Sequence, residues 1–294
     1  MFRTLKYILA VLVALLCMEK VQAATEQTEA QIESGTAVKS SGYVLIINCH
    51  LETTNWNHNF EDEIIAYTAR NGGLEVYSEH LKTLDIRTLE ELEDMRNVLA
   101  QKYVNRPAAV VFIGPAAFTL FAPTFQKKWN GVPMIAVGLK KKNMSVDQII
   151  NQENVPYRNL PQTSLKELQT EYNVTGLLST FYIKETIELM ESTIKGMNHI
   201  VWLGDNRQGS IVARMQAQED IAKYFPNITM EFLSPETIST EMLLKKISQY
   251  DRHTGILFHT WFKEGHKSQN FYIRTIFINC LVTSLLFLSS LCGI

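Results

Sequence analysis

Cysteine is scarce in this chain. Its 294 residues include four cysteines, one within an apolar N-terminal run and the others widely spaced at Cys49, Cys280 and Cys292. No CxxC pair occurs, and no cysteine spacing matches a structural zinc site. This pattern excludes a disulfide framework. The fold must therefore be stabilised by a hydrophobic core, and we expect it to carry neither a metal nor a cofactor.

An excess of charge of either sign is also missing. The chain has 28 basic and 30 acidic residues, which gives a formal net charge of −2, and its pI is near 6.4. A protein without a basic field does not attract the phosphate backbone. Nucleic acid is therefore excluded as a partner.

The familiar enzyme motifs are absent as well. The sequence contains no GxSxG, GxxxxGKS/T, GxGxxG or HExxH motif. A late group of polar residues has spacings that match no standard metal site, and it consists of His253, His259, Glu264 and His266. These absences favour a non-enzymatic function and predict no catalytic residue. The alternative is an α/β enzyme without a recognised motif.

The first 23 residues have the features of a secretory signal peptide. Arg3 and Lys6 precede an apolar core, and the residues Val21 and Ala23 fit a signal peptidase site. The core has about 11 residues, whereas a membrane helix needs roughly 20. We therefore predict export after cleavage at Ala23, and we interpret the polar residues 24–41 as a linker.

At the other end of the chain, residues 276–294 contain no charged side chain. A helix of this length nearly spans the roughly 30 Å of a bilayer core, so the tail is a candidate anchor in the cytoplasmic membrane. Its polar side chains argue against burial in lipid. The alternatives are that the tail continues the preceding lobe with a buried strand and helix, or that it is the altered end of a truncated gene.

Short apolar runs alternate with amphipathic stretches over most of the remaining chain, which is typical of βαβ units and parallel sheets. Four such repeats predict an N-terminal lobe at residues 42–140, with strands at 43–48, 74–77, 108–113 and 132–137. One of its helices is predicted at residues 88–103, with Thr88 as the N-cap. The three lysines at 140–142 are interpreted as a solvated loop.

The pattern weakens over residues 141–175, which we interpret as an irregular crossing segment, and it returns in a C-terminal lobe at residues 176–275. Apolar residues from Ile183 to Met197 repeat at helical spacing and predict the first helix of this lobe. The other elements of the lobe are predicted as strands at 199–203, 229–233 and 254–258 and helices at 208–224 and 238–249.

Two regions together resemble a known family. The strand at residues 43–48 is followed by Trp56, and Asn173-Val174-Thr175-Gly176 leads into a helix and then the strand Ile200-Val201-Trp202-Leu203-Gly204. Over residues 41–262 this combination resembles the periplasmic substrate-binding proteins of ABC transporters, in the branch related to tryptophan and tyrosine binders. It is also similar to the periplasmic sensor regions of bacterial hybrid histidine kinases.

The resemblance implies a two-lobed periplasmic-binding-protein-like (type I) α/β fold, with parallel sheets flanked by helices. It implies that a small-molecule ligand binds between the lobes and is passed to an ABC permease. The alternatives are the sensor portion of a two-component system, whose partner is a membrane kinase, and a degenerate remnant without a ligand. Only 36 residues follow Phe258, where the family continues with more of the second lobe, so the completeness of that lobe stays open.

The candidate binding residues follow from a general rule, that ligands of open parallel sheets sit outside the carboxyl ends of the strands. In the N-terminal lobe this rule selects Asn48, His50, Trp56, Gly114, Pro115 and Gly138. In the C-terminal lobe it selects Asp205, Asn206, Arg207, His259 and Trp261. We expect these residues to face a shared cleft.

Several of these residues have a specific expected role. Trp56 and Trp261 are suited to stacking on a planar or sugar ligand, with core packing as the alternative. Asp205 and Arg207 are suited to clamping an amino or carboxylate group, with a simple polar turn as the alternative. The turn at residues 114–115 either leaves helix N–H groups open to an anion or only connects a strand to a helix.

Overall fold

The computed structural model of the chain describes residues 42–49, 55–71, 73–261 and 286–288, with side chains except at 55–59 and 286–288. The predicted signal peptide and linker lie outside these residues, as does most of the apolar tail. Within the described part of the chain, no helix is both long enough and apolar enough to cross a membrane.

A five-stranded parallel sheet forms the N-terminal lobe, in the order β2-β1-β3-β4-β5. The strands are β1 (Gly42–Asn48), β2 (Leu74–His80), β3 (Ala109–Ile113), β4 (Met134–Lys140) and β5 (Val174–Ser179). The first four are connected by α1 (Asn55–Arg70), α2 (Leu89–Lys102) and α3 (Pro115–Lys128). The four predicted repeats are confirmed, and the Thr88 side chain caps α2 by accepting a hydrogen bond from the Glu91 N–H.

The fifth strand differs from the prediction. Residues 174–179 pair in parallel with β4 in the first sheet, whereas the sequence pattern placed residue 176 at the start of the second lobe. The difference arises at Gly176, because glycine is common in turns as well as at sites of close backbone contact. In the fold it permits a close backbone approach, because a Cβ at this position would lie 2.0 Å from the Ala136 carbonyl oxygen. The second lobe therefore begins after β5.

The segment between β4 and β5 contains more structure than predicted. It includes α4 (Val146–Asn151), a 3₁₀ turn (Tyr157–Asn159) and α5 (Leu165–Leu168). The Lys142 ammonium donates hydrogen bonds to two carbonyl oxygens of the 3₁₀ turn, at 3.1 and 2.8 Å, and Lys140 is buried. The interpretation of the lysine run as a solvated loop is therefore wrong, because two of its three side chains bind protein groups.

A second parallel sheet forms the C-terminal lobe, in the order β7-β6-β8-β9. Its strands are β6 (His199–Leu203), β7 (Thr229–Leu233), β8 (Thr254–Phe258) and β9 (Leu286–Leu288). Its helices are α6 (Ile183–Thr193), α7 (Gln208–Tyr224) and α8 (Thr240–Ile247). The predicted strands β6 to β8 and helix α7 are confirmed, and α8 is shorter than predicted. The backbone of β9 pairs in parallel with β8, as expected for a tail that adds a strand to this lobe.

Helices α3 and α7 pack against each other across the two lobes. Phe118 of α3 and Met215 of α7 belong to the same apolar core as Phe112 of β3 and Trp202 of β6. Each of these helices begins just after the carboxyl end of a strand, β3 or β6. The helix pair therefore connects the two regions in which the binding residues are expected.

Candidate functional site

Asn48 ends β1 with its side chain inside a buried polar network. Its Nδ2 donates to Glu61 Oε1 at 2.8 Å, and the same oxygen accepts a hydrogen bond from Ser78 Oγ at 2.9 Å. The network fixes the end of β1 against α1 and β2. Two predicted site positions stay untested nearby, because His50 and the Trp56 side chain lie outside the described residues.

The turn at Gly114 and Pro115 starts α3. Gly114 has φ 93°, a conformation that glycine adopts readily, and Pro115 is the first helical residue. The backbone N–H groups of Ala116 and Ala117 act to lower the pKa of the Cys49 thiol, but burial has the larger effect. Burial raises the pKa of Cys49 to about 11, so this group is a neutral thiol at neutral pH. The first turn of α3 therefore lies near the Cys49 side chain of its own lobe.

Gly138 marks an irregularity near the end of β4. The pairing with β5 shifts register between Val137 and Leu139, and Gly138 has φ 85°. A one-residue bulge of this kind re-aims the side chains that follow it. Gly138 therefore affects the site through the backbone conformation, because the bulge sets the direction of the Lys140 side chain at the end of β4.

Lys140 is a buried cation at the carboxyl end of β4, only 7% exposed. Its Nζ donates to Ser179 Oγ at 2.6 Å and lies 3.9 Å from the centre of the Phe181 ring. Sequence reasoning missed all three residues. The available signal was the strand-end rule itself, since Lys140 and Ser179 are the last residues of β4 and β5.

Asp205 and Arg207 form an ion pair in the loop between β6 and α7. Asp205 Oδ2 lies 2.9 Å from Arg207 Nη2 and 3.0 Å from Arg207 Nε, and Oδ1 accepts the Arg207 backbone N–H at 3.0 Å. Asp205 is 0% exposed. Burial favours a raised pKa for Asp205, but the charge and hydrogen bonds of Arg207 outweigh it and hold the pKa below its usual value. The carboxylate is therefore ionised and orients the guanidinium. Asn206 lies between these two residues in the sequence, and its backbone N–H donates to Glu236 Oε1 at 3.3 Å.

His259 follows β8 and lies between two aromatic rings. Its imidazole stacks on Trp202, with centroids 5.6 Å apart and planes 19° apart. It meets Phe181 edge to face, also at 5.6 Å. Since Phe181 lies in the connection between the lobes and contacts Lys140, a chain of contacts runs from the end of β4 to the end of β8.

The electrostatic environment keeps His259 neutral. Burial lowers its pKa to about 4; the Asp205 carboxylate opposes this change, and the cations Arg207 and Lys140 add to it. A neutral imidazole offers one hydrogen-bond donor and one acceptor. At neutral pH, His259 therefore contributes a flat polar surface and no charge.

Trp261 lies in the hydrophobic core of the C-terminal lobe. It is 2% exposed, and its Nε1 donates to Thr240 Oγ1 at 3.1 Å. The ring packs in a cluster with Leu203 and Leu243. Of the two alternatives for Trp261, this placement agrees with core packing.

The described site residues fall into two groups. Lys140 contacts Phe181, and Phe181 contacts His259, so the end of β4 lies near the end of β8. The charge of Arg207 also acts on the Cys49 thiol, which follows β1. Trp261 is separated from this group because it points into the core.

The free energy of unfolding at acid pH should show whether His259 is neutral in the folded protein. Its pKa is near 4 in the folded protein and about 6.5 in the unfolded chain, so the unfolded state binds more protons between these values. The stability that this histidine confers is complete above pH 6.5 and is lost as the pH falls toward 4. We expect about 1–2 kcal/mol less free energy of unfolding at pH 5 than at pH 7.5. Urea titrations of the wild type and His259→Phe measure this difference, and an equal pH dependence in both proteins would contradict it.

Comparison with known proteins gives a fold likeness only. No protein-family model and no curated protein matches the chain. An ABC transporter solute-binding protein from Thermobispora bispora is similar in structure, with a TM-score of 0.50 and 12% identity over 83% of this chain and 67% of that chain. One from Actinobacillus succinogenes with bound D-allose has a TM-score of 0.48 and 11% identity, over 83% of this chain and 77% of that chain. An arabinose-binding protein from Geobacillus stearothermophilus has a TM-score of 0.47 and 13% identity, over 84% and 74%. The first likeness shows that this chain has the two-lobed α/β fold of periplasmic solute-binding proteins.

Proposed function

We propose that this protein is a non-enzymatic, exported solute-binding protein that holds a small molecule where its two lobes meet. The observation that supports this most directly is the set of buried and partly buried polar side chains at the strand ends. The buried Lys140 comes from one lobe, and the buried Asp205 and the partly buried Arg207 and His259 come from the other. Burying such groups is unfavourable unless they bind partners, so fixed polar groups at a lobe junction are suited to ligand recognition.

The chemistry of the described residues supports binding over catalysis. The Cys49 thiol is buried and protonated at neutral pH, which makes it a poor nucleophile. His259 Nδ1 lies 3.4 Å from Thr260 Oγ1, too far for a good hydrogen bond that would activate a hydroxyl. A fixed ion pair and a stacked neutral imidazole orient a ligand without supplying a reactive group.

The fold and the predicted signal peptide suggest where the protein acts. We propose a periplasmic protein whose N-terminal lobe contains β1 to β5, whose crossing segment lies between β4 and β5, and whose C-terminal lobe follows β5 and contains β6 to β9. The proposed partner is an ABC permease; a membrane kinase is the alternative. Alkali washing of membranes separates the two, because only an anchored protein stays in the pellet.

Thermal-shift measurements on the full-length exported chain test the binding function. Sugars, amino acids and nucleosides are added one at a time. A ligand at 100 times its Kd adds about 2.7 kcal/mol of stability, so we expect one class to raise Tm by about 5–10 °C. Absence of any shift across all three classes would contradict the proposal.

A pair of neighbouring lysines provides the matched control. Lys140 is buried beside Ser179 and Phe181, whereas Lys141 is exposed. We expect Lys140→Met to abolish most of the ligand-induced shift and Lys141→Met to retain it. If both variants respond like the wild type, the ligand does not bind at the end of β4.

A further inference from the structure

Gln208 is a buried polar residue at the start of α7. It is the first residue of this 17-residue helix and follows the Asp205–Arg207 loop directly. Its side chain is 5% exposed. The helical spacing places it on the same face as Ile211, Val212 and Met215, which belong to the core shared by the two lobes. The face of α7 that carries these residues packs in the core between the lobes. Gln208 therefore lies at the end of this face that adjoins the Asp205–Arg207 loop.

The Gln208 amide lacks hydrogen bonds within the protein. Neither its Nε2 nor its Oε1 has a partner among the residues that the structure describes. Buried amides without partners are rare, because desolvation without a replacement hydrogen bond is costly. The partly buried Gln216, two turns further along the same helix, has such partners, since its Nε2 donates to the Phe181 carbonyl oxygen at 3.2 Å and to Asp220 Oδ2 at 3.3 Å.

The position of the unpaired amide points to a ligand. The first turn of a helix has backbone N–H groups without partners inside the helix, and Arg207 is the N-cap residue of this one. A buried amide beside such a turn provides two N–H donors and a carbonyl acceptor in one plane. A ligand group that fits it must accept one hydrogen bond and donate another.

We propose that Gln208 is a specificity-determining residue, and that the ligand group it binds is a hydroxyl or a primary carboxamide. This inference rests on the proposed binding function. An anionic group satisfies only the Gln208 N–H, and an ammonium satisfies only the carbonyl oxygen, so each leaves one polar atom of the amide unpaired. Neutral hydroxylated or amide-bearing molecules are therefore favoured over simple anions and cations.

The experiment compares Gln208→Leu with Gln216→Leu in the full-length exported chain. Without ligand, Gln208→Leu should raise Tm by about 2–4 °C, because it removes an unpaired amide from an apolar contact. Gln216→Leu should lower Tm, because it removes an amide that is hydrogen-bonded. A Gln208→Leu variant that is as destabilised as Gln216→Leu would show that Gln208 has only a structural role.

The ligand arm uses D-ribose, D-galactose, D-glucose and L-glutamine as matching probes, with succinate and putrescine as the anionic and cationic comparisons. We expect a matching probe to stabilise the wild type and to lose at least about tenfold in affinity in Gln208→Leu. A probe that raises the Tm of the wild type and of Gln208→Leu equally would overturn the role of Gln208 but not the binding function. A selective loss of succinate or putrescine binding would overturn the ligand class. If none of the probes shifts the wild type, and the sugar, amino acid and nucleoside screen is also negative, the binding function itself fails.

Discussion

Replacing Asp205 by alanine is expected to lower the free energy of unfolding by about 3–5 kcal/mol, which is the usual cost of removing one partner from a buried ion pair. The Asp205 carboxylate is 0% exposed and neutralises the Arg207 guanidinium at 2.9 Å. Its loss also removes the acceptor of the Arg207 backbone N–H. Urea unfolding at neutral pH, followed by far-UV circular dichroism, measures the change.

The control for this variant is Asp205→Asn, which keeps an oxygen acceptor but removes the charge. We expect it to lose less stability than Asp205→Ala. The pH dependence follows from the lowered pKa of Asp205: the stabilisation is complete above the ordinary pKa of 3.8 and disappears as the pH falls through the lower folded value. Equal stability of wild type and Asp205→Ala at neutral pH would show that the ion pair does not form.

Trp261→Ala is expected to cost a similar amount, about 3–5 kcal/mol, because it removes a large buried aromatic side chain and leaves a cavity. The Trp261 ring is 2% exposed and packs beside Leu203 and Leu243. The same urea titration measures the loss of stability. The rise in Tm that a ligand causes in the variant then separates the two roles. A side chain that only packs in the core should leave this rise intact, whereas a side chain that contacts the ligand should not.

Two milder substitutions refine the result for Trp261. Trp261→Phe keeps most of the ring volume and should retain much of the stability. Thr240→Val removes the acceptor of the indole N–H and should cost about 1 kcal/mol. A Trp261→Ala variant with near-normal stability and no ligand response would instead support the stacking role that the sequence suggested.

The sequence contains enough information to predict most of the secondary structure of both lobes. Strands β6, β7 and β8 and helix α7 are bounded by the predicted residues, since apolar runs and clear turn residues mark their ends. The sequence pattern divides the residues of β5 between the crossing segment and the second lobe, because Gly176 has two opposite uses, as a turn former and as a site of close backbone contact. Local sequence does not distinguish between these uses.

The candidate site was harder to predict than the fold. The strand-end rule selected the loop that contains Asp205 and Arg207, but it did not indicate that these side chains bind each other. It also missed Lys140, because three adjacent lysines resemble a solvated surface loop. Whether a lysine is buried depends on tertiary partners such as Ser179 and Phe181, which come from a distant part of the chain.

The bulge at Gly138 determines which side chains at the end of β4 enter the core. In a regular strand, alternate residues face the same side, so inserting one residue exchanges the two sides for everything downstream. Met134 and Ala136 enter the core before the bulge, and Leu139 enters it afterwards. One inserted glycine thus decides which of two adjacent residues, a leucine or a lysine, enters the apolar core at the end of β4. A single insertion or deletion here would exchange these two side chains without any other change of sequence.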